Sequence, residues 1–152
     1  MNRLAVCLGL AFASNATLAA ASDLCSTVEA LTAEAGANFA DRPITGNFNP
    51  GLPNGAQCAV LLQLGGVRAL NCQWGFSFRN PDAWKSFERL SGQIRECSGV
   101  AVLIDQDQLV NHPDTYDLRK FDWNGAIIDV SLKDKGALQQ TFVFLRVGTD
   151  AQ

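Results

Sequence analysis

Charge is sparse in this sequence of 152 residues and is nowhere gathered: 12 Lys and Arg and 15 Asp and Glu are scattered along the chain, for a net charge of −3. There is no basic stripe to neutralise phosphates, which excludes a nucleic-acid footprint. There is no polybasic run to hold the chain on an anionic leaflet either. Histidine is rarer still, with His112 alone. No Cys-x-x-Cys pair occurs and His112 is far from every cysteine, so neither a thioredoxin-type redox centre nor a zinc ribbon is indicated, and no cofactor or metal is expected. Gly-x-Ser-x-Gly and similar nucleophile turns are missing, as are repeats and low-complexity stretches. Beyond the N-terminal segment no apolar run approaches the ~20 residues that a membrane-spanning helix needs.

What is present is globular. Hydrophobic residues make up 47% and charged residues 18%, values that argue against global disorder. The first residues read as a secretory signal. Arg3 supplies the positive start, residues 4–13 an apolar core too short to span, and Ala19-Ala20-Ala21 a small-x-small cleavage site. The expected division is a signal peptide over 1–21 and a single domain over 22–152, periplasmic or secreted, with no stable membrane insertion after cleavage. Lipidation does not fit, because Cys7 follows Val6 and Cys25 follows Leu24, where a small residue would be wanted. With Cys7 in the leader, Cys25, Cys58, Cys72 and Cys97 remain, an even number that an oxidising compartment would pair into two disulfides.

The periodicities predict an α+β fold. Residues 22–39 carry Leu24, Val28, Leu31, Ala35 and Phe39 at helical spacing. Residues 41–56 are dense in Pro, Gly and Asn and read as a long loop. Residues 58–78 read as a β-hairpin broken at Gly65-Gly66, with Cys58, Val60, Leu62 and Leu64 on one face of the first strand. Leu70, Cys72, Trp74, Phe76 and Phe78 share the matching face of the second. Residues 80–97 read as a second helix, capped by Asn80 with Pro81 at its first position and a buried stripe of Trp84, Phe87, Leu90, Ile94 and Cys97. A short strand over 100–104, an irregular polar segment over 105–117 and a C-terminal meander through Asn124-Gly125 complete the chain. The last strand, apolar on both sides, is expected to lie centrally. The expected architecture is a largely antiparallel sheet, hairpin plus meander, with two helices on one face. Each helix then brings one cysteine to the hairpin face that holds the other two. Stapling each helix to a strand predicts Cys25–Cys58 and Cys72–Cys97; the other pairing weighed is Cys58–Cys72 with Cys25–Cys97.

Chemistry has one candidate cluster, residues 111–117. His112 could act as a general base oriented by Asp114 or Asp117, or the three could hold a divalent cation. The same residues also make a capped turn around Pro113. Contact residues are sought in the long loop, at Phe48 and Leu52, in the polar segment at Tyr116, and at Trp123, which an Asn-Gly turn would leave exposed. The leading expectation is a binding, adaptor or inhibitor-type protein that meets a protein of the bacterial cell envelope by surface contact. The alternatives are a small hydrolase or metal-dependent enzyme centred on His112, and a structural envelope protein with a sheet edge open to self-association. Oligomeric state is not legible from the sequence.

Overall fold

The hairpin sets the register of the rest. In the computed structural model, which describes residues 16–44, 50–53, 55–97, 101–111 and 114–149, strand β1 (Gln57–Leu62) pairs antiparallel with β2 (Arg68–Ser77) across a short 3-10 turn, Leu64–Gly66. Gly65 and Gly66 take φ of 80° and 81°. A Cβ disfavours that region, so the glycine pair lets the chain reverse here. Cys58, Val60, Leu70 and Cys72 are buried on one face, as their alternation demands.

Helix α1 (Ala16–Gly36) precedes the hairpin and helix α2 (Pro81–Glu96) follows it. The chain leaves α1 through Asn38 and Phe39, both at positive φ, and Phe39 is buried. The start of α2 is set chemically: the Asn80 side chain accepts from the Asp82 amide, Pro81 needs no amide partner, and Asp82 lies at the positive end of the helix dipole. Strands β3 (Ala101–Asn111), β4 (Asp114–Trp123), β5 (Ala126–Lys135) and β6 (Gln140–Gly148) form the meander. The sheet has six strands in the order β1-β2-β6-β5-β4-β3, every neighbouring pair antiparallel. Both helices pack on one face and on each other. Val28, Leu31, Phe87 and Ile94 meet Ile128, Val130, Val143, Leu145 and Val147 there in a single core. The α+β expectation holds, as does the central place of β6.

Four details differ from expectation. The disulfides are Cys25–Cys97 and Cys58–Cys72, not Cys25–Cys58 and Cys72–Cys97. Cys58 and Cys72 are direct register partners with Cα atoms 4.0 Å apart, the close approach of a non-hydrogen-bonded pair. Cys25 and Cys97 meet between the helices at a Cα separation of 5.4 Å. Second, the polar stretch 105–111 is strand: β3 pairs with β4 at the edge of the sheet, and Asp105 and Asp107 stand exposed on the face away from the helices, beside Lys120 and Leu118. Third, Trp84 is 43% exposed, while Ala83 and Ser91 join the buried stripe of α2. Fourth, α1 begins at Ala16 rather than Ser22.

Gly92 sits inside α2 with no atom within 4 Å of a Cβ built on it. Gly92→Ala should therefore raise stability by roughly 1 kcal/mol through helix propensity alone. Urea unfolding would show the gain as a higher midpoint at unchanged slope, and a loss would mean that the helix is not regular there.

Candidate functional site

β1 stops opposite Gln73, so the last part of β2 is bordered by β6 alone. Trp74 and Phe76 continue the apolar face of the hairpin past that point and are only half buried. With Val143 of β6, the register partner of Trp74, they form the floor of a cavity of about 430 Å³ beneath α2. Leu24 of α1, Leu90 of α2 and Pro53 complete its apolar wall. The indole N–H of Trp74 donates to the Pro53 carbonyl at 3.4 Å, which ties the loop to the floor.

One side of the cavity is polar. Ser86, Arg89 and Gln93 follow one another at i, i+3 and i+7 along α2 and line it together. Among the described residues none of these three side chains has a hydrogen-bond or ion-pair partner. A cation, a hydroxyl and an amide thus border the apolar chamber without a protein partner among the described residues, with Arg89 exposed at its rim. Beyond Phe76 the same row of the sheet is closed: the Thr141 hydroxyl donates to Asp134 Oδ1 at 2.6 Å, and Arg79 donates its amide to Thr141 Oγ1 at 2.7 Å and its Nε–H to Asp134 Oδ2 at 3.2 Å. That cluster locks the turn from β2 into α2.

The residues singled out from the sequence lie elsewhere. His112, Pro113 and Phe48 fall outside the described residues, and Asp114 opens β4. Asp117 is buried beneath α2, where it is ion-paired to Arg119; Arg119 in turn lies 3.6 Å from Glu88 and over the Phe87 ring. Leu52 and Trp123, expected at a contact surface, are 4% and 5% exposed and belong to the core. Leu52 folds back into the core. Trp123 shares the helix-covered face of β4 with Phe121, so the turn beside it does not expose it.

Tyr116 lies half buried on the other face of the sheet, with the Lys133 ammonium 5.1 Å from its ring centre and 5.4 Å from that of Phe144. Burial pushes the Tyr116 hydroxyl up from its ordinary pKa, helped by Asp129, Asp107, Asp105 and Asp117. Burial pulls Lys133 down, helped by Lys135 and opposed by Asp129. On the same face Arg146 bridges Asp129 at 3.1 Å and Gln63 at 3.0 Å.

Sequence reasoning passed over the cavity because Trp74 and Phe76 read as core. Counting strand length from Gly65 would have shown β1 ending before them. No family model, curated protein or solved structure matches this chain.

Proposed function

We propose that the chain is an exported binding protein and that the cavity over Trp74 and Phe76 receives its ligand, an apolar group carrying an anionic end. The observation that carries this reading is Arg89, which stands exposed at the rim of an apolar chamber with no partner among the described residues. The floor takes the apolar part. Arg89 takes the anion, with Ser86 and Gln93 as hydrogen-bond donors beside it. The two disulfides support an oxidising compartment. Among the described residues no helix is long and apolar enough to cross a membrane. The same chemistry is offered by a free amphipathic acid and by an envelope protein that presents an apolar side chain next to a carboxylate.

Decanoate and decanol separate the parts. Decanoate should bind saturably and shift the emission of Trp74, identified by loss of the signal in Trp74→Phe. Arg89→Ala should weaken decanoate about tenfold, a change of ~1.4 kcal/mol, and leave decanol unchanged. A photo-crosslinker at position 86 tests the other source. An envelope protein captured there, and lost with Arg89→Ala, would be the ligand. If neither decanoate nor a crosslinked protein depends on Arg89, the reading is wrong.

A further inference from the structure

The two edges of the sheet are built differently. β3 carries the usual protection of an exposed strand: its register shifts between Leu103 and Asp105, and two carboxylates, Asp105 and Asp107, stand exposed along it. β1 carries none. Its six residues, QCAVLL, include no charge and no proline, and its register with β2 is unbroken. Leu61 and Leu62 are 47% and 58% exposed.

The direction of its backbone groups follows from one bond. The Gln63 amide donates to the Val67 carbonyl at 2.7 Å, so the odd-numbered residues of this strand spend their backbone groups on β2. Cys58, Val60 and Leu62 then direct theirs outward. The short Cα separation of Cys58 and Cys72 agrees. None of these three backbones has another partner among the described residues.

We propose that β1 is the interface of a homodimer, pairing antiparallel with β1 of a second copy about a two-fold axis through Val60. Only this register satisfies the outward groups symmetrically: Val60 stands opposite Val60 of the second copy, and Cys58 opposite its Leu62. All three residues of each strand then exchange hydrogen bonds, and the two sheets become one. The axis also places Leu61 opposite Ala59 of the second copy on the same face, a large side chain over a small one. No charge is brought against its like. β3 paired with itself would oppose carboxylates, which restricts self-pairing to β1. A second copy is preferred to a foreign strand because the complementarity lies within β1 itself. No residue of β1 lines the cavity, so this interface and the ligand site stand or fall separately.

Light scattering on the whole mature chain, over a range of concentrations, reads the result. The expected mass at high concentration is twice that of one chain. Leu61→Lys and Leu61→Glu should each reduce it to a single chain with unchanged circular dichroism, since position 61 is exposed and like charges would lie diagonally across the axis. Mixing the two variants should restore the dimer. Leu62→Pro should also abolish it, because that amide points away from β2. A single-chain mass at every concentration overturns the proposal. So does a dimer that survives Leu61→Lys and Leu62→Pro.

Discussion

Replacing Cys25 and Cys97 together by alanine should lower the free energy of unfolding by about 4 kcal/mol, and replacing Cys58 and Cys72 by about 3 kcal/mol. The difference comes from the loops the bridges close. Cys25–Cys97 spans 72 residues and Cys58–Cys72 only 14, so the first removes more freedom from the unfolded chain. The two bridges also do different structural work. Cys58–Cys72 joins strands that already share a ladder and a glycine turn. Cys25–Cys97 joins α1 to the end of α2, and both helices pack over the core face of the sheet. Against a typical stability of ~5–15 kcal/mol, loss of the helix bridge is a large fraction of the total. Guanidinium unfolding of the two double variants checks the order. Thermal melts that coincide with and without reductant would refute the stapling altogether.

The hairpin and the central strand were legible because their physics is local. Cys58, Val60, Leu70 and Cys72 alternate toward one face around a glycine pair, and residues 142–145 are apolar on both faces, which fits a strand in the middle of the sheet, where neighbours on either side half bury Phe142 and Phe144 even on the face away from the helices. The disulfide pairing was legible too, since Cys58 and Cys72 are equidistant in sequence from Gly65, but stapling each helix to a strand looked the more natural use of the cysteines. Phase was harder. Trp84 is the most hydrophobic candidate in its turn of α2, yet the stripe runs through Ala83 and Ser91, because small side chains let the helix approach and a residue one position off the stripe points to solvent. β3 was hidden by its position: an edge strand needs no apolar outer side, so Asp105 and Asp107 look like loop composition. The cavity was hidden for a related reason. Trp74 and Phe76 have the composition of core, and only the length of β1, a property of the pair and not of β2, leaves them half open.

Arg119→Ala should destabilise the fold by about 3 kcal/mol, more than its place beside a salt bridge at the protein surface would suggest. Arg119 and Asp117 are two residues apart on β4, so both project under α2, and their neighbours on β5 are Val130 and Leu132. The Asp117 side chain is only 5% exposed and that of Arg119 18%. Truncating Arg119 strips the guanidinium from a carboxylate that water reaches poorly, and also removes the cation from the face of Phe87. Arg119→Lys should recover only part of the loss, because an ammonium cannot reach Asp117, Glu88 and the Phe87 ring at once as a planar guanidinium does. The pair is not thereby a net source of stability. Replacing both residues by apolar ones of similar volume, Asp117→Leu with Arg119→Met, removes the desolvated charges together and should cost far less than Arg119→Ala alone. Urea unfolding of Asp117→Leu, Arg119→Met and the double variant measures the coupling directly. If the double variant is as unstable as the sum of the singles, the two side chains are held independently and Asp117 does not depend on Arg119 for its place beneath α2.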